Sequence, residues 1–233
     1  MSEELRKEKN AADTTETLIN ECIKRIQELE KNKNNISGRV SEIRNEILQH
    51  VGATPEEIPF IGELIRIKKS EYEWEASIER ILHNFALRLI VPDKYYRKVN
   101  EFVNSHNLNG KIVYQHYQGF TSLKEMEGWE QDERHLLQKV EFKPDHRYTD
   151  WIENEIYHRY NYACVDSLSE FDTYSEKAVT KEGLVKSVGN KHEKDDRKET
   201  LSRNNYVLGW DNKEKIAFLR NEVYLLQDKQ REN

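Results

Sequence analysis

A charged segment near the C-terminal end, His192-Glu193-Lys194-Asp195-Asp196, contains the side chains best suited to do chemistry. Carboxylate oxygens are the ligands that Mg²⁺ prefers, and a bound Mg²⁺ could support cleavage of a phosphodiester. Adjacent Asp195 and Asp196 would point to opposite sides of a strand, however, and metal sites draw their ligands from several elements. We therefore favour a dimer interface or a switch over a metal-dependent nuclease, and a solvated polar loop is the remaining alternative.

The same segment lies within the one locally basic part of an acidic chain. Residues 177–203 contain eight Lys or Arg and five Asp or Glu, although the formal net charge of the chain is −6. The basic side chains that could contact DNA phosphates are Lys177, Lys181, Lys186, Lys191, Lys194, Arg197, Lys198 and Arg203. Because acidic residues lie between them, we expect DNA binding here to be weak and sensitive to salt.

The other chemically able side chains point to no catalytic site, cofactor site or metal site. Six histidines outside the charged segment lack the Cys/His spacing of a zinc site, and we expect them to be surface or hydrogen-bonded groups: His83, His106, His116, His135, His146 and His158. Trp74, Trp151 and Trp210 stand among apolar residues and are predicted core anchors. No G-x-x-x-x-G-K-[ST] phosphate loop occurs.

Composition sets the class of protein. The chain has 233 residues, of which 36% are hydrophobic and 34% charged, which is typical of a compact domain joined to exposed helices. Two distant cysteines, Cys22 and Cys164, imply no disulfide framework and favour a reducing cytosol. No apolar run reaches the roughly 18 residues of a membrane span, and we expect no membrane contact and no signal peptide.

A heptad pattern opens the chain after a predicted frayed or disordered N-terminus, residues 1–14. Its apolar positions step by four and three through residues 15–51, which predicts an ascending coiled-coil helix. The alternative is an amphipathic helix lying on a globular core. A second heptad in residues 211–233 predicts a descending helix. The economical geometry is an antiparallel coiled coil with a globular unit at its tip.

Between the two heptads, one pattern of elements occurs twice. The order strand, Trp-led helix, apolar strand, Asp-opened helix, strand is predicted in residues 52–117 and again in residues 138–210, separated by a polar connector, residues 118–137. Strands alternating with helices favour βαβ units and a mainly parallel sheet. The predicted fold class is thus mixed α/β, with two pseudo-repeated subdomains.

At this point the chain resembles the hinge of an SMC-type ATPase, a pair of α/β subdomains at the apex of an antiparallel coiled coil. The residues 77–83 and 89–93 match the family's "AIE-x-x-LG" helix and "VVV-D" strand, and 178–183 matches its "VVTLDG" motif. The glycine-rich interface loop that follows in the family is replaced here by residues 189–196.

Three further stretches resemble the Wadjet branch of the SMC-like proteins, whose JetC subunits are similar to MukB and MksB. They are residues 59–65, 192–197 and 207–212. The resemblance covers roughly residues 55–215.

The resemblance implies homodimerisation of two long ATPase arms that extrude DNA loops and defend a bacterium against plasmids. ATP and Mg²⁺ would bind at head domains outside this sequence, and kleisin and accessory subunits would bind elsewhere on the parent protein. The chain itself is expected to have no turnover, and the parent to be cytoplasmic and nucleoid- or plasmid-associated. The predicted dimer interface follows the 178–183 motif: Gly183, Leu184, Val185, Lys186, Val188, Gly189, Asn190, Lys191, His192, Lys194, Asp195, Asp196 and Arg197.

Overall fold

The computed structural model describes residues 3–120 and 132–232, with side chains described from residue 11 to residue 231. Most of the predicted connector, residues 121–131, therefore lies outside the described residues. No helix in the described ranges is both long enough and apolar enough to cross a membrane.

Two helices from opposite ends of the chain form the predicted antiparallel coiled coil. They are α1 (Glu3–Lys31) and α9 (Lys213–Glu232), and their seam buries Cys22, Leu29 and Leu219. Helix α1 already begins at Glu3, so residues 3–14 are helical and the predicted frayed N-terminus is wrong there. The stretch contains no Gly or Pro and several strong helix formers, which explains its helicity.

The predicted single helix over residues 15–51 is interrupted, and its second part has a different partner. Gly38, with φ of 77°, precedes α2 (Arg39–Val51), and the side chain of Asn34 accepts the N–H of Ile36 within the break. The heptad positions of α2 face the α/β core, where Ile43 is fully buried. Residues 39–51 are thus the amphipathic core helix that was the alternative, and the coiled coil is limited to α1 and α9.

The first half of the α/β unit begins with a bridge between Phe60 and Leu89. Its elements, in order, are a 3-10 turn (Ile61–Leu64), β1 (Ile65–Ile67), a 3-10 helix (Lys69–Trp74), α3 (Glu75–Ala86), β2 (Arg88–Pro92), α4 (Asp93–Ser105) and β3 (Val113–Tyr117). Strands β2 and β3 are parallel, with Arg88 opposite Val113.

The second half repeats this order, beginning with the equivalent bridge between His135 and Ala163. Its elements are α5 (Leu136–Lys139), β4 (Val140–Phe142), α6 (Thr149–Glu155), a π-helical turn (Ile156–Tyr160), β5 (Ala163–Val165), α7 (Leu168–Thr173), β6 (Ala178–Thr180), β7 (Val185–Ser187), β8 (Lys191–Glu193), α8 (Lys198–Leu201) and a 3-10 turn (Arg203–Asn205). Strands β5 and β6 are parallel, as β2 and β3 are.

The strands do not form the mainly parallel sheet that the alternation predicted. Strand β1 pairs antiparallel with β4 of the other half, with Arg66 opposite Glu141 at the middle of the register. Strands β7 and β8 add an antiparallel hairpin to β5 and β6, so the described strands form sheets of two, two and four. The repeat places equivalent strands β1 and β4 side by side, and one large hydrophobic core joins both halves and α2.

Candidate functional site

The predicted interface segment folds into the β7–β8 hairpin at the end of the four-stranded sheet. Ser187 pairs with Lys191 across a three-residue loop in which Gly189 and Asn190 both have positive φ. Gly and Asn are the residues that adopt this conformation at low cost, and such short loops fix the register of a hairpin.

The base of the hairpin is held by helix α3 of the other half. The Arg80 guanidinium donates to the carbonyl oxygens of Gly183 at 2.6 Å and of Asp195 at 2.8 Å, and the Ser77 hydroxyl donates to the Thr180 carbonyl at 2.9 Å. Gly183 has φ of 85°, and a Cβ there would collide with the Arg80 guanidinium. This glycine therefore permits both the turn and the close approach of Arg80.

The hairpin leaves an open edge. All three residues of β8 are exposed, and within the described chain no strand pairs with the outer edge of β8. Val188, in the hairpin loop, is 63% exposed. The same holds in the first half for β3, whose second edge has no strand partner among the described residues and whose Val113 is 40% exposed.

Two of the predicted interface residues lie inside the fold. Val185 is 9% exposed and belongs to the main core, because its side of β7 faces inward. Lys186 is 5% exposed; its Nζ donates to the carbonyl oxygens of Phe171 and Tyr174, both at 2.9 Å. The prediction that Val185 and Lys186 meet a partner is wrong for this conformation, and Leu184 is half-buried against a small second core.

The charged side chains of the segment pair within the chain. Lys191 lies 2.7 Å from Glu193, and Lys194 lies 2.7 Å from Asp196. The Arg197 guanidinium lies 2.6 Å from Asp195 and holds the pKa of that carboxyl well below its usual range. These pairs compete with the cross-chain pairs predicted between the same residues.

The hypothesis of a metal-dependent nuclease gains no support from this geometry. The Asp195 carboxylate also accepts a hydrogen bond from the Thr200 hydroxyl at 2.9 Å. Its oxygens are therefore already hydrogen-bonded to Arg197 and Thr200. Within the described residues, no group of three or more His, Cys, Asp or Glu side chains could hold a metal ion.

The basic side chains predicted to contact DNA do not form a free basic surface. Lys186 is buried and cannot reach a phosphate, which corrects that prediction. Lys181 pairs with Glu73 and Asp166, and Arg203 pairs with Glu75. Together with the pairs inside the hairpin, these carboxylates neutralise much of the positive charge that the composition of residues 177–203 suggested.

A cluster of charged side chains that the sequence reasoning missed lies where the coiled coil joins the α/β unit. Glu79 and Lys215 are 4% and 8% exposed. Glu79 follows the buried residue Ile78 on helix α3 and precedes Leu82 by three positions. A charged residue on such an apolar face was a signal that could have identified it.

Comparison with known proteins finds similarity in structure and none in sequence profiles. No protein-family profile matches the chain, and no curated protein sequence matches it. The folded elbow of cohesin matches with a TM-score of 0.53 and 14% identity, over 97% of this chain and 33% of that chain. The chain thus spans about a third of the length of that cohesin chain.

Two hinge domains align over nearly the whole chain. The SMC hinge of Geobacillus stearothermophilus, an asymmetric dimer, gives a TM-score of 0.45 at 17% identity over 98% of this chain and 94% of that chain. The Pyrococcus furiosus Smc hinge with an extended coiled coil gives 0.45 at 14% identity over 98% of this chain and 77% of that one. The chain has a mixed α/β fold at the tip of an antiparallel coiled coil, similar in fold to the folded elbow of cohesin. The similarity to Wadjet proteins rests on the sequence resemblance alone.

Proposed function

We propose that this chain is a homodimerisation domain that joins two SMC-type arms through the open edges of its sheets. The observation that carries the proposal is the fully exposed strand β8, which ends the four-stranded sheet without a partner strand in the described chain. An unpaired edge presents a row of N–H and C=O groups and is a template for pairing with another chain.

The pairing that fits best joins β8 of one copy to β3 of the other. Among the edges without a strand partner in the described chain, β3 in the first half and β8 in the second each have an exposed valine beside them. A two-fold rotation that brings β8 to the partner's β3 also brings β3 to the partner's β8, so a single symmetric dimer covers both edges. Pairing β8 with β8 would leave both β3 edges open.

The side chains at these edges favour a specific contact of moderate affinity. Val188 and Val113 are exposed apolar side chains, one beside each edge, and pairing would bury both. Lys191 and Glu193 are exposed, and ion pairs in such places contribute only about 0–1 kcal/mol each. Backbone pairing and burial of the two valines therefore provide most of the affinity.

Sedimentation of matched variants tests the interface. We expect the wild-type chain to be dimeric at tens of micromolar, and Val188→Asp and Val113→Asp each to raise the dissociation constant at least about tenfold, or about 1.4 kcal/mol. Leu225→Asp is the control, because Leu225 is 57% exposed and lies in α9 of the coiled coil, outside both edge strands. An effect of Val188→Asp without one of Val113→Asp indicates β8–β8 pairing, and a monomeric wild type refutes the proposal.

For the parent protein, we propose an SMC-like ATPase of the Wadjet type that acts on DNA in plasmid defence. Two of the stretches that resemble this branch meet in the fold: the Gly209 N–H donates to the Gly62 carbonyl at 3.0 Å. ATP, Mg²⁺, kleisin and accessory subunits belong to parts of the parent outside this chain, which would be cytoplasmic and nucleoid- or plasmid-associated in a bacterium. Plasmid retention in cells that carry or lack the parent gene tests the assignment.

The chain alone is proposed to have no enzymatic turnover. Incubation with supercoiled plasmid, Mg²⁺ and ATP should give neither nicking nor phosphate release, and nicking abolished by Asp195→Ala would instead establish the nuclease. DNA binding is the other alternative: fluorescence anisotropy across a salt series should show at most weak binding, and Lys198→Ala reports whether the exposed end of the basic segment contributes.

A further inference from the structure

Residues 206–209, which we call the neck segment, lead from the second half towards α9. A buried carboxylate accepts hydrogen bonds from the backbone of this segment. Glu79 of helix α3 accepts the N–H of Val207 with one oxygen and the N–H of Leu208 with the other, both at 3.0 Å. A single side chain thus holds two consecutive backbone groups of the neck segment.

A buried amine also holds the neck segment. Lys215, in the first turn of α9, donates from Nζ to the carbonyl oxygen of Tyr206 at 2.6 Å and to that of Asn35 at 3.0 Å. The Asn35 side-chain amide in turn donates to the Leu208 carbonyl at 2.7 Å. The break after α1, the neck segment and the base of α9 are therefore tied together at one point.

A cavity of about 390 Å³ adjoins these contacts, and both Glu79 and Lys215 line it. Its walls include the aromatic rings of Tyr72, Tyr206, Trp210 and Phe218. The cavity gives the Glu79 and Lys215 side chains a route to water, although Val207 and Leu208 of the neck segment belong to the main core and hold that segment in place as well.

Both gripping side chains are held at a cost in electrostatic free energy. Burial raises the pKa of Glu79 to about 7, although the two backbone N–H groups and Lys215 oppose the shift. Burial lowers the pKa of Lys215 to about 7, and the charge of Arg25 acts in the same direction. The titratable and charged groups around the pair come from α1, α3 and the end of the second half: Arg25, Glu75, Arg80, His83, Arg203 and Tyr206.

We propose that Glu79 and Lys215 form a charge-sensitive latch on the neck segment that sets the angle between the coiled coil and the α/β unit. With the latch closed, α9 is fixed against α3 and the break after α1. With the latch open, both buried side chains reach water and the coiled coil is free to pivot at its base.

The two side chains give the latch opposite responses to pH. The Glu79 carboxyl binds its proton more tightly when closed, so raising the pH from the ordinary value of 4.5 towards 7 favours opening. The Lys215 amine binds its proton more tightly when open, so lowering the pH from the ordinary value of 10.5 towards 7 also favours opening. The two effects meet near neutral pH, where the closed latch is weakest.

Hydrogen exchange of the two gripped amides tests this directly. We expect the protection of the Val207 and Leu208 amides, corrected for intrinsic exchange, to be at least about tenfold lower near pH 7 than near pH 5 or pH 9, since each unit of pKa difference is worth a factor of ten. The control is the Ile90 amide, which donates to the Pro59 carbonyl at 2.9 Å within the first half. A profile at Val207 and Leu208 that is as flat as that of Ile90 overturns the latch.

Two variants test which side chain causes each change in amide protection with pH. Glu79→Gln should remove the change between pH 5 and 7 and keep the change above 7, and Lys215→Met should do the reverse. Each variant also loses a hydrogen bond, so the readout is the shape of the profile and not the level of protection. If both variants keep the wild-type shape, another group such as His83 carries the titration and the proposal is wrong; if neither folds, the wild-type profile decides alone.

Spin labels test whether the latch controls the coiled coil. Glu101 and Gln227 are exposed, and the native Cys22 and Cys164 are buried, so labels at Glu101→Cys and Gln227→Cys report the angle. With labelled chains diluted in unlabelled protein, the distance distribution should be broadest near neutral pH. If the label distances stay constant with pH while the amide protection changes, the neck segment opens without moving the coiled coil. That result would refute control of the angle between the coiled coil and the α/β unit. None of these measurements depends on which edges form the dimer.

Discussion

The two halves of the α/β unit share an order of elements but differ in how thickly their strands are covered. In the first half, α4 has 13 residues and α2 packs beside it. In the second half, α7 has six residues and covers a separate small core of Ala163, Val165, Phe171 and Ala178. The repeated elements supply the common core, and the halves differ in the outer layers that cover it.

The second half has only the short helix α7 over its small core, and the β7–β8 hairpin extends its sheet by two strands. Helix α3 of the first half supports this hairpin. Arg80 and Ser77 of α3 hold the turn and the end of this hairpin. These contacts lead us to expect that the second half unfolds locally more easily than the first half, which supports it. Substitutions in the two cores should separate these roles.

The largest effect is expected from Phe85→Ala, at the contact between the halves. Phe85 is 1% exposed, and its ring centroid lies 4.6 Å from that of Tyr160 in the second half. Removing the ring leaves a cavity in the shared core, and we expect a loss of about 3–5 kcal/mol in the free energy of unfolding. Urea unfolding should remain a single transition for both halves. Separate transitions in the wild type would contradict a shared core.

A smaller and more local effect is expected from Phe171→Ala. Phe171 is 1% exposed in the small second core, and the buried Lys186 Nζ lies 4.5 Å from its ring centroid. We expect a loss of about 2–3 kcal/mol, because the small core has few neighbours and can partly collapse. Hydrogen exchange should increase first in β7 and β8 while β2 stays protected. Equal deprotection of both sheets would show that the second half is not a separate layer.

Sequence reasoning succeeded for the elements and not for the pairing of strands. The order of elements in both repeats follows from local signals such as Pro92-Asp93 at the start of α4 and Ser167 before α7. The Ser167 hydroxyl accepts the N–H of Glu170. Pairing of β1 with β4 could not be predicted in the same way, because each strand has three residues and the central pair, Arg66 and Glu141, is 75 positions apart. Local patterns determine elements, whereas partners depend on tertiary packing.

The candidate site shows the same limit. The positions of Gly183 and Gly189 correctly predicted turns, and both have positive φ. The burial of both Val185 and Lys186 could not be read from the segment, because it requires cover on both faces of β7: the main core on the side of Val185, and Phe171 on the side of Lys186. Similarly, the heptad pattern of α2 continues that of α1, and only the turn at Gly38 directs Ile43 to a different partner.

The smallest effect is expected at the central pair of the repeat, Arg66 and Glu141, which face each other in the β1–β4 register. Their side chains are 42% and 37% exposed, so the pair is screened by water and should contribute about 0–1 kcal/mol. The Arg66 guanidinium also lies over Trp210, 4.1 Å from the ring centroid, a contact worth about 0.5–1 kcal/mol at an exposed site. Arg66→Gln should therefore cost more than Glu141→Gln, and a double-mutant cycle should give a coupling below about 1 kcal/mol that shrinks in high salt. A coupling above about 2 kcal/mol would contradict a water-screened pair and would mean that the Arg66–Glu141 contact also stabilises the junction of the two halves.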